Sequence, residues 1–288
     1  MLLDASFARE LEALRRRLHV RARSGGGGDR MSRRRGSSAE FLEHRAYAPG
    51  DDLRRIDWLA FARTGEPVFK LFRAEEDVVV RLVVDASLSL EAGEPSKLEI
   101  AKKMAAAIGY MALAGSERAQ VLSASEGLTF VAEPSRGRAA LPKLLRELDR
   151  IEPRGGTDLS RAIEQVTLRS PRPGMLVVVS DFMDSGPFDA AITRAAAAGH
   201  DVTLVQVLSR DEVEPRYDGD YALVDAESGA AVEVTMDASA IEAYLERLNQ
   251  LVLGLRALAK KVRGAYVRVI TDEPLLPPVR RFVGRVVD

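Results

Sequence analysis

One carboxylate and two hydroxyls follow an apolar run in the first third of the chain. The run Val78–Val84 carries only one charged residue, Arg81, and its composition predicts a buried β-strand. Asp85, Ser87 and Ser89 come directly after it. Because ligands of open α/β sheets bind outside the carboxyl ends of the strands, these three side chains are candidates for binding. Hard oxygen donors of this kind suit Mg²⁺ or Mn²⁺.

Two later segments can bring further oxygens to the same edge. Thr157 follows two glycines just before a predicted helix, and Asp181 closes a second apolar strand that begins at Met175. Three hydroxyls and two carboxylates would match an octahedral site for a hard cation, with waters or a partner's oxygen completing the shell.

Each of these residues also has a purely structural explanation. Thr157 or Asp158 could be the N-cap of the following helix. The two serines could satisfy their own backbone in a loop, and Asp181 could be a turn residue that ends its strand. The binding hypothesis depends on all of them meeting at one place.

The elements between these segments predict how the residues meet. Apolar strands near 78–84, 175–179 and 202–207 alternate with helices, which favours a doubly wound, mostly parallel α/β sheet. The sequence predicts helices near 96–114, 138–149, 158–168, 186–198 and 238–262, and further strands near 68–72, 118–123, 128–132 and 265–270. Residues 221–224 and 231–234 could pair as a hairpin around Ser228-Gly229, within an insertion at 208–236.

The composition narrows the class of protein. The 288 residues are 46% hydrophobic and 30% charged, which is typical of a packed globular chain. The absence of cysteine excludes disulfides, thiolate metal sites and a cysteine nucleophile. The three histidines lie far apart in the sequence and do not have the spacing of metal ligands. No signal-peptide core or transmembrane run is recognisable, so we expect a cytoplasmic protein.

The charge is unevenly distributed along the chain. Residues 1–73 carry 16 Lys/Arg against 10 Asp/Glu, whereas the remainder carries 26 against 33. Residues 1–29 read as a basic amphipathic helix at 5–21 followed by a glycine-rich linker. This arm is either a solvated loop or a weak candidate for nucleic-acid binding, which the acidic remainder and the lack of interleaved aromatic residues disfavour.

A block of polar and aromatic residues precedes the first apolar strand. Its most distinctive members are Arg45, Asp52, Arg54, Asp57, Trp58 and Arg63. Two interpretations remain open for them. Trp58 could anchor a core while the Arg/Asp pairs fasten loops, or the block could present a face to a partner protein.

The five candidate ligands follow a known pattern. The order Asp85-x-Ser87-x-Ser89, then Thr157, then Asp181, resembles the metal-ion-dependent adhesion site (MIDAS) of von Willebrand factor type A domains. The resemblance implies an A-domain-like, Rossmann-like fold. It implies that Ser87, Ser89 and Thr157 supply hydroxyl ligands to Mg²⁺ (or Mn²⁺ or Ca²⁺), that Asp85 and Asp181 bind directly or through water, and that a partner's carboxylate takes the open position.

The upstream block resembles a second family. Arg45-Ala46-Tyr47-Ala48-Pro49-Gly50-Asp51-Asp52-Leu53-Arg54-Arg55-Ile56-Asp57-Trp58, with Ala62-Arg63 after it, is similar to the bacterial domain of unknown function 58. The resemblance covers roughly residues 30–285 and implies a MoxR-type AAA+ ATPase as partner. We therefore expect an accessory region at 30–77 and an A-like domain at 78–288.

The combined expectation is a non-enzymatic, metal-dependent interaction domain, an adaptor or assembly factor of the chaperone type. A magnesium-dependent phosphatase is the enzymatic alternative, because such enzymes also carry an aspartate after the first central strand. They need a second aspartate two residues later, where this chain has Ser87, and the later pair Asp181 and Asp184 matches them only weakly.

Overall fold

The computed structural model describes residues 2–24, 35–48, 56–73, 78–170, 172–183, 186–226 and 229–285. They divide into two units, one formed by Met1–Gly26 with Val78–Asp288 and the other by Gly27–Asp77. In chain order the strands are β1 (Arg35–Ala46), β2 (Val68–Arg73), β3 (Val79–Asp85), β4 (Arg118–Ala124), β5 (Leu128–Val131), β6 (Ser135–Arg136), β7 (Met175–Ser180), β8 (Asp201–Leu208), β9 (Gly219–Val224), β10 (Ala231–Met236) and β11 (Ala265–Ile270). The helices are α1 (Ala5–Ser24), α2 (Trp58–Thr64), α3 (Lys97–Ala114), α4 (Leu141–Asp149), α5 (Leu159–Arg169), α6 (Phe188–Ala197), α7 (Arg210–Val213), α8 (Ala238–Lys261) and α9 (Leu276–Arg285).

A seven-stranded sheet forms the centre of the larger unit. Its order is β11-β8-β7-β3-β4-β5, with β6 also paired to β4. The pairs from β11 to β4 are parallel, whereas β5 and β6 run antiparallel to β4. The predicted α/β fold with a mostly parallel sheet is therefore confirmed.

Helices cover both faces of this sheet, as a doubly wound fold requires. Alternate residues of β3 point to opposite faces, so that Leu82 packs with one cluster and Val83 with the other. The first cluster includes residues from α1, α3, α4 and α9, and the second includes residues from α5, α6 and α8. Burial on both faces explains why β3 and β7 are apolar almost throughout.

Helix α1 belongs to the larger unit rather than to a separate arm. The sequence predicts a basic helix at 5–21, and the helix extends to Ser24. Leu11 and Leu14 are buried in the first core cluster, and Glu12 accepts a hydrogen bond from Tyr110 Oη at 2.7 Å. The apolar stripe that identified the helix is therefore the face that attaches it. The glycine-rich segment 25–28 lies outside the described residues.

The hairpin predicted near 221–234 is present as β9 and β10, paired antiparallel from Ala231↔Val224 to Met236↔Gly219. Both strands are largely exposed. Ser228, which the sequence places in the turn, lies outside the described residues.

The smaller unit contains an antiparallel pair and a short helix. Strand β1 pairs with β2, and Ile56 forms a bridge with Phe69. Asp57 caps α2 by accepting hydrogen bonds from the backbone N–H groups of Leu59 and Ala60, both at 3.1 Å. Among the described residues, no helix is long and apolar enough to cross a membrane.

Candidate functional site

Asp85 is the last residue of β3 and is completely buried. Its Oδ2 accepts a hydrogen bond from Ser180 Oγ at 2.6 Å, and its Oδ1 accepts one from the backbone N–H of Ser87 at 3.0 Å. Burial raises the pKa of Asp85 to about 6 against the opposing hydrogen bonds, and the nearby carboxylate of Asp181 contributes to the rise. The ends of the neighbouring strands β3 and β7 are thus joined at this carboxylate.

Ser87 and Ser89 follow Asp85 in a tight turn. Their Oγ atoms lie 3.0 Å apart, and Ser87 is completely buried whereas Ser89 is partly exposed. The turn continues as a single 3-10 helical segment, Leu88–Glu91. Two hydroxyls within one hydrogen-bond distance can direct their oxygens towards a common point.

The loop that carries Thr157 is attached to this turn through its backbone. Leu88 N donates to Gly155 O at 3.1 Å, and Arg154 N donates to Ala86 O at 2.8 Å. Asp158 is the N-cap of α5 and accepts from Arg161 N at 2.8 Å, so capping explains Asp158 and not Thr157. Thr157 is partly buried, directly before the cap.

Asp181 is held by a buried lysine. Lys97 Nζ lies 2.6 Å from Asp181 Oδ2 and 2.7 Å from Glu212 Oε1, and its side chain is only 3% exposed. Burial disfavours the charged lysine, but the two carboxylates outweigh that cost and raise the pKa of Lys97 above its ordinary value. The lysine compensates charge at the site.

The backbone around Asp181 is fixed as well. Met183 N donates to Asp181 Oδ1 at 3.1 Å, and Gln206 Nε2 donates to the Asp181 carbonyl at 3.0 Å. Gln206 in turn accepts a hydrogen bond from Tyr266 Oη at 2.6 Å. Polar groups on β8 and β11 therefore determine where this strand end lies.

Sequence reasoning missed Lys97, Glu212 and Ser180. One signal for Lys97 was available, because a lysine in the first turn of a helix opposes the helix dipole and requires a nearby anion. Glu212 also forms a capping box with Ser209, so the sequence pattern predicts a helix cap rather than a partner of Lys97. Lys97 and Asp181 are 84 positions apart, so only the fold brings them together.

The structure describes part of the block upstream of β3. Asp57 is buried as a helix cap, and the guanidinium of Arg45 lies 5.4 Å from the centre of the Phe69 ring. Arg63 is exposed, with its Nε donating to Leu59 O at 3.3 Å within α2. Asp52 and Arg54 lie outside the described residues.

Trp58 does not anchor a core. It is 59% exposed, and its ring meets Phe61 edge-on with centroids 6.0 Å apart. Leu59 beside it is also exposed. The interpretation of Trp58 as a buried anchor is wrong, because the first turn of α2 directs it outward once Asp57 is used as the cap. The partner-binding interpretation of Trp58 stays a prediction.

Comparison with known proteins identifies relatives along most of the chain. The family model described as "Protein of unknown function DUF58" matches residues 43–250. The uncharacterized protein Rv1480 of Mycobacterium tuberculosis is 34% identical over 268 residues, which are 89% of this chain and 82% of that protein. The uncharacterized protein MAV169 of Mycobacterium avium is 30% identical over 127 residues, 44% of this chain and 74% of that protein.

Solved structures show weaker similarity. A conserved hypothetical protein, BatB from Bacteroides thetaiotaomicron, aligns over 72% of this chain and 98% of its own with 20% identity and a TM-score of 0.48. A von Willebrand factor type A protein from Catenulispora acidiphila aligns over 75% of this chain and 43% of its own, with 16% identity and a TM-score of 0.42.

Proposed function

The chain belongs to the DUF58 family of proteins of unknown function, and we propose that it is a metal-dependent protein-interaction domain. In this proposal Asp85, Ser87, Ser89, Thr157 and Asp181 hold a divalent cation. The observation that carries the proposal is the junction of β3 and β7, where a buried carboxylate, a pair of hydroxyls and a second carboxylate come together.

The donor chemistry supports a hard cation. Among the described residues no three His, Cys, Asp or Glu side chains are grouped so that they could hold a metal by themselves, and the proposed shell therefore depends on hydroxyls beside its two carboxylates. Serine and threonine oxygens with carboxylates suit Mg²⁺, with Mn²⁺ or Ca²⁺ as alternatives. A cation beside Asp85 would offset the burial that makes its ionised form costly. When bound, the metal would supply an electrophilic position for a carboxylate of another protein.

The surroundings support an acidic partner. A cleft of about 260 Å³ lies beside the 154–158 loop, lined in part by Gly155, Arg154 and Arg161 and by one carboxylate, Glu126. Both arginines are exposed. A protein segment that brings an aspartate or glutamate to the metal would find two cations next to it against one carboxylate.

The partner class in this proposal is a MoxR-type AAA+ ATPase, taken from the family resemblance of the upstream block. The protein would act as an adaptor or assembly factor of the chaperone type, without catalysis of its own. Ser87 stands where the phosphatase alternative needs a second acid, and the sequence supplies none there.

Binding to the MoxR-type ATPase encoded in the same genome tests the proposal. The immobilised full chain would be exposed to the purified ATPase in Mg²⁺, then in EDTA, then in Mg²⁺ again. We expect binding to be lost in EDTA and restored by Mg²⁺. Ser87→Ala should abolish the Mg²⁺-dependent part, because it removes a buried hydroxyl from the donor set.

Ser160→Ala is the matched control, since Ser160 lies in the first turn of α5 outside the donor set. It should bind as the wild type does. Binding that is equally strong in EDTA would contradict the metal dependence. No binding of the ATPase in either buffer would contradict the choice of partner.

A further inference from the structure

Strand β11 is an edge of the central sheet. It pairs with β8 on one side, and no other strand in the described part of the chain pairs with it. An edge strand has backbone N–H and C=O groups that can pair with another extended chain. Edge strands normally carry a feature that prevents pairing with unrelated strands, and positively charged side chains are a common example.

A cleft of about 530 Å³ lies along this edge. Its lining includes the backbone segment Gly264–Arg268 and four cationic side chains, which are Arg256 and Lys260 of α8, Arg268 of β11 and Arg281 of α9. Within the described part of the chain, no carboxylate lines it. Edge protection would explain one or two of these cations, but the concentration of four in one cleft indicates an anionic occupant.

The four cations have no ionic partner among the residues that the structure describes. None of the ion pairs between described residues involves any of them, and all four are exposed. Arg256 instead lies over the Tyr266 ring, with its guanidinium carbon 5.6 Å from the ring centre. Like charges held close together repel one another, and a bound anion would relieve that repulsion.

The cations are arranged on both sides of the strand. Tyr266 packs with the α8 face of the sheet, whereas Val267 and Val269 pack with the α9 face. Arg268 shares its face with Tyr266, because side chains alternate along a strand. An added strand would therefore meet Arg256, Lys260 and Arg268 on one face and Arg281 on the other.

We propose that β11 binds an extended acidic segment of a partner protein, which adds to the sheet as a further strand. Backbone hydrogen bonds to β11 would supply affinity, and acidic side chains would pair with the cations of the cleft. The binding is independent of the cation site at Asp85. A metal chelator should therefore leave it unchanged.

A peptide fits this cleft better than a nucleic acid does. Single-stranded nucleic acids require aromatic faces on which bases stack, and the one aromatic residue of the cleft, Tyr266, is already covered by Arg256. The hydrogen-bonding edge of β11 matches a polypeptide backbone, which a phosphate chain cannot imitate.

Fluorescence anisotropy with a labelled peptide of the repeat Glu-Glu-Val-Val, which carries glutamates on both faces of an added strand, tests the charge requirement. We expect saturable binding to the full chain in EDTA, weakening with salt, and no binding of the matched Lys-Lys-Val-Val peptide. Lys260→Glu and Arg281→Glu should each weaken binding about tenfold, because each turns an attraction into a repulsion.

Arg247→Glu on α8 and Arg280→Glu on α9 are controls with the same charge change on exposed residues outside the cleft lining. They should leave binding within about twofold of the wild type. Equal weakening by these variants would show a general charge effect and overturn the proposal.

A second peptide tests strand addition. N-methylation of every backbone nitrogen removes the donors of both edges of the peptide and should abolish binding while the charge is unchanged. Undiminished binding of the N-methylated peptide would overturn strand addition. Tighter binding of a single-stranded oligonucleotide, or an Arg281-dependent dimer of the protein in place of peptide binding, would overturn the assignment of a foreign acidic segment.

Discussion

Lys97 lowers the negative charge at the proposed cation site. Its ammonium group bridges Asp181 and Glu212 in a nearly inaccessible position. The cluster of Asp85, Asp181, Glu212 and Lys97 contains three acids and one base, so its charge with all four ionised is −2 before any metal binds. A divalent cation would balance that charge, and the lysine would limit how much negative charge opposes an incoming carboxylate.

Replacing Lys97 should destabilise the metal-free protein. Lys97→Met leaves the buried Asp181 and the partly buried Glu212 without their cation, which should lower the free energy of unfolding by about 3 kcal/mol. Urea unfolding in EDTA measures this. Lys103→Met is the control, because Lys103 forms a more exposed pair with Glu99 and its loss should cost less than about 1 kcal/mol. Equal losses would contradict the structural importance of the Lys97 cluster.

Asp85 should make the metal-free protein sensitive to pH. Its pKa of about 6 in the folded chain lies above the ordinary value of 3.8, so the folded state binds the proton more tightly than the unfolded state does. Its contribution is therefore complete below about pH 4 and is lost as the pH rises through about 6, by about 3 kcal/mol. Asp85→Asn should lack this dependence. The stability difference between wild type and variant, measured in EDTA from pH 4 to 7, should follow that curve; a flat difference would contradict it.

Some strands and helices of this protein could be predicted from the sequence, and others could not. Strands β3, β7 and β8 were predictable because burial on both faces makes them almost continuously apolar. Strand β1 and helix α9 were not, because Arg35–Ala46 has no regular alternation and α9 begins with two prolines after its first leucine. The exposure of Trp58 could not be predicted from its residue type, because it depends on where α2 begins.

Helix α1 should be fastened to the larger unit by Glu12. Hydrogen bonds from Arg15 and Tyr110 hold the pKa of Glu12 well below its ordinary value, so its stabilisation is present at neutral pH and declines as the pH falls below 4.5. Glu12→Gln should cost about 1–2 kcal/mol at pH 7. Glu10→Gln, an exposed neighbour, should cost less than about 0.5 kcal/mol. Equal unfolding midpoints for the two variants would contradict the attachment through Glu12.

Helix α2 offers two adjacent residues with opposite expectations. Asp57→Ala removes the cap and should cost about 1 kcal/mol. Trp58→Ala removes an exposed ring, so it should change stability by less than about 0.5 kcal/mol and instead weaken binding of the ATPase. Thermal unfolding and the binding assay together separate the two effects. A destabilised Trp58→Ala variant with normal binding would restore the anchor interpretation.

We propose two places at which the molecule binds carboxylates. One is the proposed cation site at the carboxyl end of β3, and the other is the cationic cleft on edge strand β11, three strands away from β3 in the sheet. The first could be proposed from the sequence because its residue types and spacing resemble a known pattern, and it stays a prediction. The second could not be proposed in this way, because Arg256, Arg268 and Arg281 come from different elements and converge only in the folded chain.

Calorimetric titration of Mg²⁺ into chelator-treated protein tests the cation site most directly. Wild type and Ser160→Ala should bind Mg²⁺ stoichiometrically, whereas Ser87→Ala and Asp85→Ala should lose the binding heat, provided that each variant remains folded by circular dichroism. Absence of binding by the folded wild type, or unchanged binding by Ser87→Ala and Asp85→Ala, would contradict the assignment of this site.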